Sequence, residues 1–337
     1  MTMRRRVAAG FLLGVLAVGL VPRGSLGAAP PVKIAVAQGF VAPFAIGVWI
    51  AAAHGMFARN GLDVAISVVN STQAMQALIA GSVQVMLGSP GQGLAANAAG
   101  ADVVEVATLA PRIAYRLVGR GLTKPEELRG KRLGTSAPGL STDRAAMIVY
   151  LRSIGLNPSD NTFVNAGQPA QRLVALAGGG IDATVIDPAQ WLAADRAGLS
   201  LVADLTSLRI PWDHDVVQTT RQYANTHRPA IAAFVRSLVE ANAFVLAPGN
   251  KSATIESLSR NLKIDPALVG DLELNYQLTT KLYTVRKPYP SLEAARTLIE
   301  NLRGDFPDLV TVDLGAYVDR SFVRALDESG YIDRLYK

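Results

Sequence analysis

Residues 134–156 read GTSAPGLSTDRAAMIVYLRSIGL, and the stretch changes character abruptly along its length. A strand-like run, KRLGTS, ends in small and polar residues through Ser141 and Thr142, and a helix is predicted from Thr142 to Ile154. Gly139 allows a tight bend there. Ser141 stands at the N-cap position, with its hydroxyl expected to bond the first-turn amides. Short side chains let backbone N–H groups approach a ligand, and the positive end of a helix suits an anionic group. Asp143, in the first turn, competes for the same dipole. An ordinary capped helix start accounts for the segment equally well.

Working outward, strands and helices alternate. VKIAVAQ (Val32–Gln38) reads as a strand, PFAIGVWIAAAHGMF as a helix, LDVAISVVN as a strand, QAMQALIAG as a helix and VQVMLGSP as a strand. Strand, helix and strand at this spacing predict βαβ units and a parallel sheet. The scheme repeats from KRLGTS through TFVNAG and IDATVID to LSLVADL, with helices between. The two blocks are joined by DVVEVATLAPRIAYRLVGR, which is too long for one strand and interrupted at Pro111, so it reads as a crossing between two sheets. In the last third helical patterns dominate. Ile231, Phe234, Val235, Leu238 and Val239 mark one apolar face. The expected fold class is α/β, with two lobes of parallel-rich sheets flanked by helices. Lobe 1 is assigned residues 31–111 and 216–337, lobe 2 residues 112–215, with hinge crossovers near 111–116 and 210–217.

Ligands of parallel α/β sheets bind beyond the carboxyl ends of the strands. The candidates there are Gln38 and Phe40, Asn70, Ser71 and Thr72, Ser89 and Pro90, Ser136, Ser141 and Thr142, and Asp187 with Pro188. GSPGQG (88–93) is glycine-rich but has neither dinucleotide spacing nor the lysine of a phosphate loop. WDHD (212–215) holds the one Asp/His cluster. It is read as a polar turn at a crossover rather than a metal site, with Trp212 and His214 kept as ligand candidates beside the stacking surface of Phe40. Arg112 lies in the crossing segment, where it would face both lobes or solvent. No metal or cofactor is called for.

The N-terminus reads as a secretory signal peptide, residues 1–27. Arg4, Arg5 and Arg6 precede the apolar run Val7–Val21, which is followed by Pro22 and small residues. That run is shorter than the roughly 20 residues of a spanning helix. The arginines leave Sec and twin-arginine export both open, and LVPRGS (20–25) reads as a coincidental match to a protease site. Without the four leader arginines the 33 basic residues become 29 against 27 acidic, a net charge near +2. The basic balance therefore makes no case for nucleic acid. With no cysteine there is no disulfide, no thiolate nucleophile and no lipidation site. A monomer exported to the periplasm is expected.

With these residues in view, the chain from about 32 to 280 resembles the substrate-binding proteins of ABC importers, of the nitrate, sulfonate and taurine type whose relatives include thiamine-precursor binders. GVWIAAAHGMFARNGLDVAI, ALIAGSVQVMLGSPG, PEELRGKRLGTSAPGLSTDRAAMIVYLRSIGLNPSD, QRLVALAGGGIDATVIDP and YANTHRPAIAAFVRSLVEANAFV carry the resemblance. It implies the type II periplasmic binding protein fold, with two lobes closing over a small ligand and docking on a permease and its ATPase. Carried over by position, Gln38, Phe40, Asn70–Thr72, Ser89, Pro90, Ser136, Ser141, Thr142 and Asp187 would line the cleft. A sulfonate or nitrate binder would show a cationic cradle, which here only Arg112 would supply, and Asp187 would repel an anion. An uncharged heterocycle or a zwitterion fits better. Two rival readings are a sensor module serving a membrane kinase and a cleft enzyme of the same fold. The pyrimidine synthases related to the family rely on a cysteine-rich motif that this chain lacks.

Overall fold

The computed structural model describes residues 30–136, 139–187 and 190–337; the expected signal peptide and Pro188 lie outside the described residues. The first block runs β1 (Val32–Gln38), α1 (Ile46–Ala53), α2 (Met56–Arg59), β2 (Leu62–Val68), α3 (Ser71–Ile79), β3 (Val85–Gly88), α4 (Pro90–Ala98) and β4 (Val103–Thr108). The second runs β5 (Arg116–Gly119), β6 (Arg132–Thr135), α5 (Thr142–Ser153), β7 (Thr162–Asn165), α6 (Pro169–Ala177), β8 (Ala183–Ile186), α7 (Trp191–Arg196) and β9 (Ser200–Asp204). Next, β10 (Val216–Thr220) leads into α8 (Arg221–Thr226), α9 (Arg228–Leu246), α10 (Lys251–Leu262), α11 (Val269–Leu278) and α12 (Leu292–Leu302).

Two five-stranded sheets result, ordered β2-β1-β3-β10-β4 and β7-β6-β8-β5-β9. Each follows one plan. A parallel core, β1 with β2 and β3 or β6 with β7 and β8, is completed by a strand running the other way. These reversed strands are β10, antiparallel to β3 and β4, and β5, antiparallel to β8 and β9. The sheets are thus parallel-rich, as expected, with one reversed strand in each. The reason is directional: a chain that leaves one sheet at the cleft enters the other from the cleft, against the strands that end there.

The helix predicted over PFAIGVWIAAAHGMF is broken. His54 ends α1, and Gly55 adopts φ 66°, a left-handed conformation that starts α2 in a new direction. Behind the first sheet α1 packs on α9. The apolar face read from the sequence is the one buried there, with Ile231, Phe234, Val235 and Val239 fully inaccessible. Phe57 stacks on Phe234 with ring centroids 5.1 Å apart. By length and hydropathy α9 would pass for a membrane span. Its burial against α1 marks it as a core helix. The helix α12, assigned to lobe 1 from the sequence, packs on both α4 beside the first sheet and α5 beside the second.

The approach of α1 to α9 depends on a missing side chain. A Cβ on Gly47 would stand 2.6 Å from Asn242 Oδ1 and 2.7 Å from Leu238 Cδ1. Overpacking at such a site costs about 1–3 kcal/mol, against a helix-propensity gain of about 1 kcal/mol. Gly47→Ala is expected to lower the urea midpoint of unfolding; an unchanged or higher midpoint would show that the two helices are not held so close.

Candidate functional site

Where the two sheets face each other, both crossovers run side by side. Leu109 N–H donates to Asp215 O (2.8 Å), His214 N–H to Ala110 O (2.7 Å) and Ala114 N–H to the His214 Nδ1 (3.3 Å). The crossovers deliver Tyr115 to the start of β5 and Asp215 to the start of β10. Because those strands are reversed, their first residues meet the carboxyl ends of the parallel strands, among them Asp187 after β8.

Direct hydrogen bonds link elements of the two sheets, and Asp215, assigned to lobe 2 from the sequence, stands just ahead of β10 of the first sheet. Ser89 Oγ donates to Leu140 O (2.8 Å), and Thr142 Oγ1 donates to Asp215 Oδ1 (3.1 Å). From the C-terminal third, Tyr283 OH donates to Asp187 Oδ1 (3.3 Å). The His214 ring lies between Tyr115 and Tyr283, with centroids at 4.4 and 5.8 Å. Asp187, His214 and Asp215 are each no more than 1% exposed. Even so, Asp187 Oδ2, Asp215 Oδ2, His214 Nε2 and Ser141 Oγ have no hydrogen-bond partner among the described residues. Unpartnered buried polar atoms cost free energy, and a cluster of them calls for a reason.

Burial sets the charge states. It raises the Asp187 carboxyl to about 7, against the opposing pull of Arg172 and the Tyr283 hydrogen bond. Asp215 is pushed well above the usual carboxylate range by burial and then by the negative charge of Asp187. Burial alone lowers His214 to about 3, so its ring is neutral at pH 7. The one buried arginine beside them is committed elsewhere. Arg172 Nη1 pairs with Asp143 Oδ2 at 3.2 Å, and its Nη atoms donate to Gly167 O and Val185 O, both at 3.2 Å.

A second buried acidic pair stands beside the crossovers, where Glu105 of β4 and Asp213 face each other and Asp213 Oδ2 accepts from Ser291 N–H at 2.8 Å. Burial pushes Asp213 up to about 6, while burial and the Asp213 charge raise Glu105 well above its ordinary value. Outside the buried cluster the cleft opens into a depression of about 420 Å³. Asn70, Thr72 and Gln73 of the first lobe face Ser136, Asn165 and Gln168 of the second across it.

Comparison with known proteins places this architecture. The model of the NMT1/THI5 like family matches residues 42–250, more than half of the chain. The chain belongs to the NMT1/THI5-like family. A Brachyspira hyodysenteriae protein described as an ABC transporter periplasmic binding protein is 27% identical over 126 residues. That match covers 37% of this chain and 35% of the relative, so it spans about a third of the relative's length. Among solved structures, the alkanesulfonate-binding protein SsuA from Xanthomonas axonopodis pv. citri, bound to MOPS, superposes with a TM-score of 0.67 at 19% identity, covering 88% of this chain and 98% of that one. The nitrate-binding protein NrtA from Synechocystis PCC 6803 gives 0.74 at 13% identity, covering 91% of each. The two-lobed periplasmic binding protein fold expected from the sequence is the fold observed.

Within this NMT1/THI5-like chain the sequence-derived candidates separate into three groups. Thr142, Asp187 and His214 come together in the buried cluster, with Ser141 beside Thr142 and Ser89 at the lobe contact. Asn70, Thr72 and Ser136 reach the open depression, where Asn70 also caps α3 by accepting from Gln73 N–H (2.9 Å). The others are built into the frame or stand apart. Gln38 is fully buried, donating to Phe40 O (2.7 Å) and accepting from Trp49 Nε1–H (3.1 Å). Phe40 packs on Phe44, Ser71 Oγ donates to Gly39 O, Pro90 O accepts from Tyr317 OH, and Trp212 is buried. Arg112 is exposed to solvent.

The anion-binding expectation for the 134–142 corner is corrected. Asp143 already fills it, accepting from Ser136 N–H (2.6 Å) and Ser136 Oγ–H (3.0 Å) and pairing with Arg172. Ser141 holds the N-cap position without a side-chain capping bond. The reading from strand ends missed Asp215, Tyr115, Tyr283 and Arg172. The signal for the first two was available, because both sit where a crossover meets a strand.

The buried carboxyls predict the pH dependence of stability in the absence of ligand. Asp187, Asp213, Asp215 and Glu105 hold protons more tightly in the native state than when unfolded, so their contribution is complete in acid and is lost as pH rises, through about 7 for Asp187. His214 has the opposite sign: its contribution is complete above its ordinary 6.5 and is lost as pH falls toward 3. Above pH 6.5 the carboxyls therefore act alone, at up to about 1.4 kcal/mol per pH unit for each titrating group. Thermal melts are expected to shift downward from pH 6.5 to 8, and Asp187→Asn to flatten that slope. A melting temperature that climbs across this window would contradict the assignment.

Proposed function

We propose that this chain is the solute-binding component of an ABC import system, exported to the periplasm, where it takes one small polar molecule between its lobes and presents it to a membrane permease and its ATPase. The observation that carries the reading is the cluster of buried polar atoms without partners at the place where the two lobes meet. Two lobes joined by a pair of adjacent crossovers can separate and close by small backbone changes at residues 109–115 and 212–216. Closure over a molecule that satisfies Asp187, Asp215, His214 and Ser141 supplies the differential affinity by which a ligand shifts an open–closed equilibrium. The name of the Brachyspira relative and the fold shared with nitrate- and sulfonate-binding proteins support the class, and so does the polar depression that Asn70, Thr72 and Ser136 line from both sheets. The role calls for no cofactor and no nucleic acid, and a monomer suffices.

The test is thermal unfolding of the purified protein against alkylamines, amino acids, pyrimidines, taurine, alkanesulfonates, nitrate and aromatic carboxylates, with small-angle scattering on any hit. A true ligand at 100 times its dissociation constant adds about 2.7 kcal/mol, a shift of roughly 2–4 °C or more at this size, and the radius of gyration falls. Cells lacking the gene should then take up that compound more slowly. If the stabilising compound is chemically converted, or uptake is unchanged in the deletion strain, the importer reading fails.

A further inference from the structure

We propose that the ligand of this cleft carries a cationic nitrogen with N–H donors, an ammonium or amidinium group, seated between the unpartnered carboxylate oxygens of Asp187 and Asp215. The inference rests on the solute-binding reading of the same site and adds the charge of what is bound. Its first support is a charge count of the buried cluster. Asp143 and Arg172 cancel as a pair at 3.2 Å, with side chains 2% exposed. Asp187 and Asp215 remain, one after β8 of the second sheet and one ahead of β10 of the first, each with one oxygen bonded to a neutral hydroxyl and the other without a partner among the described residues. The remaining arginines of the second lobe that stand at its aromatic rings are occupied. Arg116 lies 3.6 Å over the Trp191 ring and 3.7 Å from Asp204, and Arg144 sits over Phe163 and Phe306. Arg112 faces solvent.

An anion entering this cluster would meet two carboxyl groups, and the one buried arginine among the described residues, Arg172, is already paired with Asp143. An ionised carboxylate pair out of water is stable only with a counter-charge and hydrogen-bond donors. A cationic N–H donor supplies both.

The surroundings suit such a group. The groups that face the two carboxyls are Tyr115 just ahead of β5, Tyr283 from the π-helical segment after α11, Thr142, Asp143 and Arg172 from the second lobe, and His214 from the crossover. The His214 Nε2, 3.7 Å from Asp215 Oδ2, belongs to a neutral ring and is an acceptor when Nδ1 carries the proton, or a donor in the other tautomer. Since Nδ1 accepts from Ala114 N–H, the Nε2 atom carries the hydrogen and stands toward Asp215. The aromatic rings of Tyr115 and Tyr283 on either side of His214 offer faces and edges to a desolvated cation.

A consequence concerns protons. In the absence of ligand, burial makes both carboxyls hold their protons above the ordinary carboxylate range, Asp187 up to about 7. A cation pairs with their ionised forms, so its binding expels protons and tightens as pH rises. An anion would behave in the opposite way.

The experiment is isothermal titration calorimetry of the wild-type protein with ethylamine, 1,4-diaminobutane and guanidinium, and with ethanesulfonate and nitrate as anionic probes. It is run at pH 6 and 8 in two buffers of different ionisation enthalpy. Expected are binding of at least one cationic probe, tenfold or more tighter at pH 8 than at pH 6, proton release to the buffer, and loss of tenfold or more in affinity in Asp187→Asn and Asp215→Asn. Both asparagine variants mimic the protonated side chain and should melt no lower than wild type at pH 8. Because the proton count is read on the wild-type protein, the test stands even if a variant folds poorly. Binding of ethanesulfonate or nitrate, undiminished by the asparagine substitutions, overturns the cationic assignment while leaving the solute-binding reading in place. Silence toward every cationic probe also overturns the assignment. The solute-binding reading is judged separately, by the neutral and zwitterionic compounds of the thermal panel.

Discussion

Two backbone hydrogen bonds, from Leu109 N–H to Asp215 O and from His214 N–H to Ala110 O, hold the two crossovers against each other, and the rest of the arrangement depends on them. A chain that passes from one sheet to another through a shared cleft arrives from the side on which the parallel strands end. It must then run back through the sheet in the opposite sense, as β5 and β10 do. The residues just ahead of those strands, Tyr115 and Asp215, are thereby set against the strand ends that a parallel sheet reserves for ligands. One topological constraint supplies the paired crossovers and two of the buried polar side chains together.

The energetics of the cleft run against local stability. Two apolar clusters each draw residues from both sheets, so bringing the lobes together buries hydrophobic surface, which favours closure. The polar cluster opposes it. Asp187, Asp215 and His214 are taken out of water with atoms left unbonded, and the two carboxyls respond by holding protons. By contrast, Asp143 and Arg172 are equally buried but paired with each other, only the Arg172 Nε being left without a partner among the described residues, and they stiffen the corner at 134–142. This difference between two neighbouring sets of charges separates framework from site. Proteins keep such locally unfavourable groups where function needs them.

Much of this was legible in the sequence because periodicity reports burial by layers. The strand–helix alternation, the crossing at Pro111 and the apolar face of α9 were read directly, and the strand-end rule reached Thr142 and Asp187. The parts that were not legible are those decided by tertiary direction. Asp143 looked like a first-turn residue answering a helix dipole, and only the fold brings Arg172, 29 positions later in the chain, to its side. Asp215, inside a four-residue polar run, reads as a solvated turn until the reversed strand that follows it is known. Tyr283 comes from the π-helical segment after α11, which carries no motif at all, because a single tyrosine there has no periodicity to mark it. Arg112, the charge that stood out in the crossing segment, faces water.

The central claim is that Asp187 and Asp215 form one desolvated, ligand-directed pair. It is tested most directly by following their side-chain carboxyl carbons by NMR across a pH titration, assigned with the two asparagine variants, first alone and then with saturating cationic probe. The account predicts that without probe Asp187 titrates at about 7 and Asp215 well above the ordinary carboxylate range, and that both fall toward ordinary carboxylate values once the probe is bound. Two carboxyls titrating near 3.8 in the free protein, and unmoved by any cation, would contradict it.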